Sequence, residues 1–158
     1  MAAYLKIEGA TKIPGESTQA KHKDWIVVDA WNWGVGRSVM YDGGRLEAGT
    51  TEVQNLTISK AYDLASPLLA KECAAGTKGM KVTLNITQDA GDHKEYLTVI
   101  LEEAILTSYQ VSGGNDKPSD SFSFSYQKVK FEYKQMDEKG NAKGNAAGGY
   151  DIKERKAI

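Results

Sequence analysis

The residue types that carry most acid/base and metal chemistry are few in this chain and poorly spaced for it. His22 and His93 each stand near an acid, Asp24 and Asp92, in polar stretches that read as turns flanking strands. A metal site needs three or four converging ligands, so two separate His and Asp pairs read as surface-loop histidines. Glu102 and Glu103 are adjacent, and neighbours in a strand point to opposite faces, so they do not form an acid/base couple. Cys73 falls on the apolar side of a short helical pattern with no histidine nearby in sequence, which reads as a buried inert thiol and not a nucleophile. Gly34-Val35-Gly36-Arg37-Ser38 resembles a fragment of a phosphate-binding turn, but it lacks the full glycine pattern, the Lys-Ser/Thr pair and a following helix, and reads as a flexible loop. Asn55-Leu56-Thr57 and Asn85-Ile86-Thr87 match glycosylation sequons, but both fall in expected strands and read as chance. No catalytic residue, cofactor or metal ligand is therefore expected, and the chain does not read as an enzyme.

What positions these residues is a set of strands. Residues 22–34, HKDWIVVDAWNWG, carry Trp25, Trp31 and Trp33 in one odd phase, which in a continuous strand places all three on one face against a core. Val82, Leu84 and Ile86 alternate with Thr83, Asn85 and Thr87, the pattern of a strand wet on one side. A turn at Asp89-Ala90-Gly91-Asp92 leads to a long odd-phase run, Leu97, Val99, Leu101, Ile105, Tyr109 and Val111. Glu103 falls in that apolar phase, so a bend or bulge near 102–104, or departure of that stretch from the core, is expected. Phe122, Phe124 and Tyr126 are even while Val129, Phe131 and Tyr133 are odd, which points to a bulge or a change of sheet around Gln127-Lys128. Further strands are expected near Tyr4 to Glu8 and Glu52 to Ser59. One helix, about 66–75, has Ser66 as its cap, Pro67 in its first turn, an apolar side of Leu68, Leu69 and Cys73, and Gly76 at its end.

With strands joined by short turns and one convincing helix, the architecture is a β-sandwich or closed barrel carrying a helix. Two Gly-rich stretches do not fit a minimal barrel. Residues 34–51 read as an extended contact loop, and 137–149 as a flexible link to a short edge strand at Tyr150-Asp151-Ile152-Lys153.

At 158 residues the chain is long enough for one domain, 1–158, with a core of its own. Twenty basic and twenty-one acidic residues give a formal charge of −1, which leaves no electrostatic footprint for nucleic acid or an anionic membrane. A single cysteine excludes an internal disulfide framework and suits folding in a reducing compartment. Lys6 and Glu8 interrupt the apolar run that a signal peptide needs, and no later stretch is apolar enough for a bilayer span, so any export is expected to use another route.

In order, Tyr4-Leu5-Lys6-Ile7, Gly15-Glu16-Ser17, HKDWIVVDAWNWG, the DLASPLL segment entering the helix, Gly76, the Tyr96 to Tyr109 strand and Gly149-Tyr150-Asp151-Ile152-Lys153 resemble the hemolysin-coregulated protein (Hcp) family. That family forms the tube of bacterial type VI secretion. The resemblance covers essentially the whole chain; the stretch Gly9 to Pro14 is a longer first turn than the family has, and Asn32 stands where Ser is common.

The resemblance implies a mainly β fold: a barrel of two packed antiparallel sheets with one short lateral α-helix and an extended loop. It implies a homohexameric ring that stacks into a tube, partnered by a spike protein at the tip, a contractile sheath and secreted effectors in the lumen. It further implies residence in the bacterial cytoplasm and then secretion, without a cleavable signal peptide, to the extracellular space or a target cell. Interface residues are expected in the 34–51 loop, at Val39, Met40, Tyr41, Asp42, Arg45, Leu46 and Glu47, and a lumen position at Asn32. The competing readings are a monomeric β-barrel that binds a small ligand or carbohydrate, and a phage-type tail tube subunit; a hydrolase would need a convergent triad or metal cluster.

Overall fold

The computed structural model describes residues 2–9, 12–89, 93–139 and 141–158. Strands β1 (Ala2–Glu8), β2 (Ile26–Val28) and β3 (Ala30–Asn32) lead to the hairpin β4 (Val35–Asp42) and β5 (Arg45–Val53). Strand β6 (Leu56–Ala61) precedes helix α1 (Ser66–Ala75), followed by β7 (Met80–Thr87) and the long β8 (Glu95–Ser112). The chain then forms β9 (Ser119–Ser125), β10 (Lys128–Met136), β11 (Ala142–Asp151) and β12 (Lys156–Ala157). All ladders are antiparallel.

Two layers result. The first runs β12-β11-β10-β8-β7-β1-β2, and the second runs β3-β6-β9 and ends on the second half of β8. The alternation expected from sequence fills the space between them: Leu5 and Ile7 from β1, Val82, Leu84 and Ile86 from β7, and Val99 and Leu101 from β8 meet Leu56, Ile58, Phe122 and Phe124. Each such large apolar side chain removed from water contributes about 1.5–3 kcal/mol, so this interior is the main force holding the layers together.

One chain feature lets β8 serve both layers. Val82 pairs with Leu101, but Met80 pairs with Ala104, so β8 carries one extra residue at Glu102-Glu103. Glu103 has φ 52°, and the buried phase passes from Val99 and Leu101 to Ala104 and Leu106. This is the bulge that an acid in an apolar phase required. A second irregularity between Leu106 and Ser108 turns Tyr109 towards Asp120 and leaves Val111 exposed. The other phase change, at Gln127-Lys128, is a change of sheet: β9 pairs with β6 and β8 in one layer, and β10 with β8 and β11 in the other.

Several expectations are corrected. Residues 22–34 are not one strand: a 3-10 turn at Ala20–His22, Asp24 at φ 64° and a corner at Asp29 divide them. Trp31 and Trp33 pack against the core as expected, but Trp25 instead packs edge-on against His22, ring centroids 4.7 Å apart. The run Glu52 to Ser59 is broken between β5 and β6, because Gln54 N–H donates to Gly34 O and closes the hairpin base. Ser66 does not cap α1; Ala65 occupies that position without a side-chain bond, and the Ser66 hydroxyl is used elsewhere. Gly76 does end the helix, at φ 68° with its N–H on Cys73 O and Glu72 O, a left-handed conformation that costs a residue without Cβ little.

The two Gly-rich stretches are also strands. Residues 34–51 fall almost entirely within the β4–β5 hairpin, with Gly43 and Gly44 at φ 56° and 83° in the two-residue turn. Within 137–149, β11 begins at Ala142 and pairs along β10 as far as Asp151, so the link is shorter than expected and the final strand is β12. Gly140 of that link, Ala10 and Thr11 of the first turn, and Ala90 to Asp92 of the turn before β8 lie outside the described residues.

Candidate assembly interface

The hairpin is a sheet by itself: among the described residues β4 and β5 pair with each other and with no other strand. Its register sorts its side chains. Directly opposed residues share a face, so Val39 with Ala48 and Tyr41 with Leu46 form one face, and Met40 with Glu47 and Asp42 with Arg45 the other. The first face is apolar and the second mostly charged. Yet Tyr41 is 80% exposed, Leu46 66% and Val39 50%. Eight- and nine-residue strands reach roughly 25 Å, and an isolated two-stranded hairpin is marginal in water. An apolar face of this kind, on an element with two open edges, marks a surface that associates.

All seven residues expected at an interface therefore lie together at the distal end of one element. Its local shape follows from the sequence. Ser38 Oγ accepts from Thr50 N at 3.1 Å, where β5 carries an extra residue opposite Ser38, and Arg37 Nη1 donates to Gly49 O at 2.8 Å across the same bulge. Asn32 is elsewhere: it ends β3, paired with Thr57, with its side chain exposed on the face opposite Trp31.

The groups examined for chemistry are differently placed from what their spacing implied. His22 is fully buried, not a surface-loop residue. It stacks on Tyr4 at 4.6 Å, its Nδ1 lies 2.7 Å from Gln19 Oε1, and its Nε2 lies 2.9 Å from Glu95 Oε1 and 3.2 Å from Asn85 Nδ2. Asp24 is not its partner. This cluster pins the 15–25 segment onto β1 and β7, and among the described residues the partners of the His22 ring nitrogens are amides and a carboxylate, not a serine, threonine or cysteine. His93 Nδ1 lies 3.2 Å from Gln88 O. Glu102 faces Lys128 and Lys130 at 4.0 and 3.8 Å. Among the described residues no group of three or more His, Cys, Asp or Glu is gathered for a metal.

The most elaborate polar cluster escaped the sequence reading. Lys60 is fully buried, and its Nζ donates to Asp63 Oδ1 at 2.8 Å, Ser66 Oγ at 2.7 Å and Asp120 Oδ2 at 2.9 Å. Ser66 Oγ donates to Asp120 Oδ2 at 2.5 Å, and Tyr109 Oη to the same oxygen at 2.9 Å. Burial, then the bond to Asp120, raises the Tyr109 phenol above its ordinary range. A Ser and Lys pair resembles a hydrolytic couple, but here Lys60 Nζ donates to Ser66 Oγ, to Asp63, to Asp120 and to Ala61 O, while the Ser66 hydroxyl donates to Asp120 and not to the lysine. The cluster ties the start of α1 to β6, β8 and β9. Its local sequence signal was Lys60, standing in the buried phase of Leu56 and Ile58, with Asp63 and Ser66 following at intervals of three.

A second buried polar group secures the hairpin base. Trp33 Nε1 donates to Tyr126 Oη, which donates to Gln54 O at 2.7 Å, and the Trp33 ring lies 4.4 Å from Phe131. Burial raises the Tyr126 phenol, against a smaller lowering by the Trp33 bond.

Comparison with known proteins identifies relatives of the whole fold. The family described as "Type VI secretion system effector, Hcp" matches residues 4–133. Protein hcp1 of Pseudomonas aeruginosa is 30% identical over 136 residues, 84% of each chain. A structure of a type six secretion system protein superposes with a TM-score of 0.90 at 30% identity, covering 99% of both chains. Hcp1 from Salmonella typhimurium superposes at 0.76, also at 30% identity over 99% of both.

Proposed function

The chain belongs to the Hcp family of type VI secretion proteins, a secreted structural family and not an enzyme family, and on that premise we propose that it is a tube subunit. Six copies close a ring and rings stack into the inner tube, which a contractile sheath expels behind a spike. Effector proteins travel in the lumen, where Asn32 faces the cargo. The subunit is made in the cytoplasm, leaves without a cleavable signal peptide, and works without cofactor, nucleic acid or membrane insertion. Among the described residues no helix is long and apolar enough to cross a membrane.

The observation that carries this reading is the amphipathic hairpin: Val39, Tyr41 and Leu46 have no core beneath them and need one from another copy. A head-to-tail contact repeated around a ring covers such a face on every subunit and leaves two faces for stacking. Negative-stain imaging with light scattering tests it. Open-centred rings of six times the 17.2 kDa chain mass are expected; a homogeneous monomer at high concentration overturns the reading and favours a ligand-binding barrel.

A further inference from the structure

A cleft of about 590 Å³ lies between the base of the hairpin and the last two strands, lined by Arg37, Thr50 and Thr51 on one side and by Tyr150 and Arg155 on the other. Two guanidiniums thus line one cleft. Arg37 spends one donor on Gly49 O. Arg155 stands in the turn after β11 at φ 57°, and the acids of that turn are already engaged: Asp151 Oδ1 accepts from Glu154 N at 3.0 Å, and Glu154 pairs with Lys156 at 2.8 Å. Among the described residues neither Arg37 nor Arg155 has an ion-pair partner.

The hairpin tip has the opposite deficit. Asp42 and Glu47 lie on its charged face, and among the described residues neither carboxylate has an ion-pair partner, Arg45 included. Asp42 is five residues from Arg37, roughly 15 Å along the strand, so the tip of a straight hairpin cannot fold back onto its own base. Acid and base can meet only between copies.

We propose that the Arg37 and Arg155 cleft receives the hairpin tip of a second copy, with Asp42 and Glu47 of one subunit set against the two guanidiniums of the next. The inference rests on the tube-subunit reading and adds the partner surface for the tip. A planar guanidinium takes a carboxylate in two parallel bonds, so the cleft fixes register as well as attraction. The contact is heterologous, each copy giving a tip and offering a cleft, and so repeats from copy to copy. Tyr150 and Arg155 bring the C-terminal strands into this cleft, opposite the base of the hairpin.

Two charge-reversed proteins test it: Arg37→Glu with Arg155→Glu, and Asp42→Lys with Glu47→Lys. All four positions are exposed, so circular dichroism and melting should match the wild type. Each reversed protein alone is expected to need more than about tenfold higher concentration to assemble, because like charges then face each other. An equimolar mixture is expected to recover assembly, since acidic tips meet Arg clefts and Lys tips meet Glu clefts in alternation. Reversed proteins that assemble like the wild type, or a mixture that stays unassembled, overturn the proposal. A wild-type protein that is itself monomeric overturns the tube reading first, and is seen before any variant is made.

Discussion

Lys60 is the residue on which the seating of α1 depends. Its ammonium neutralises one of two buried carboxylates and satisfies acceptors on β9 and in the turn that enters the helix. Replacing a buried ion pair wholesale can be neutral, but removing one partner strands the other. Lys60→Met keeps the volume and strands Asp63 and Asp120, so it is expected to cost about 3–5 kcal/mol, read as a lower denaturation midpoint at unchanged slope. A cost within the usual range of a surface substitution would show that the cluster does not hold the helix. The sequence displayed half of this arrangement. Lys60, Asp63 and Ser66 recur at intervals of three, but Asp120 is sixty residues away, and only the pairing of β6 with β9 brings it alongside. His22 was hidden in the same way, because its partners Asn85 and Glu95 come from β7 and β8.

At the scale of elements, legibility followed apolar phase. Val82, Leu84 and Ile86 located β7, Glu103 located the bulge, and the change of phase at Gln127-Lys128 located a change of sheet, since in each case a side chain had to face a core. The hairpin and β11 lacked that signal. In β11, Ala146, Ala147, Gly148 and Gly149 bury little, and the strand exists because β10 offers it a ladder. In the hairpin the apolar alternation of Val39, Tyr41 and Leu46 is interrupted by glycines that make its turn and its bulge. The residues expected at an interface could be listed without that geometry, but not their division into an apolar and a charged face. Deleting Tyr41 to Glu47 removes most of both faces while leaving the base bonds of Gln54 and Tyr126, so assembly is expected to fail and the melting transition to persist. Intact rings after that deletion would show that the hairpin is not the interface.

For the whole molecule, the edges matter more than the core. The outermost strands of the two layers are short, three residues in β2 and β3 and two in β12, which limits unplanned pairing with other chains. The hairpin is open along both edges, and β11 is open along the stretch that β12 leaves uncovered, because β12 pairs only with Tyr150 and Asp151. The proposed tube puts Asn32 on the channel side. Cysteine placed there by Asn32→Cys, in a Cys73→Ser background, is expected to react with a small thiol reagent in assembled rings. Protection of that position, with a surface control labelled, would remove it from the lumen.

Strand β8 has a further, mechanical meaning. Its eighteen residues run from one layer into the other, with ladders to β7 and β10 along its first half and to β9 along its second. Antiparallel hydrogen bonds lie perpendicular to the strands, so a push along β8 loads its rungs together in shear, whereas a pull across the sheet peels them one at a time. The subunit is therefore stiffest along the direction of β8, and if it is pushed forward within a tube, as proposed above, this axis is the one to align with the thrust.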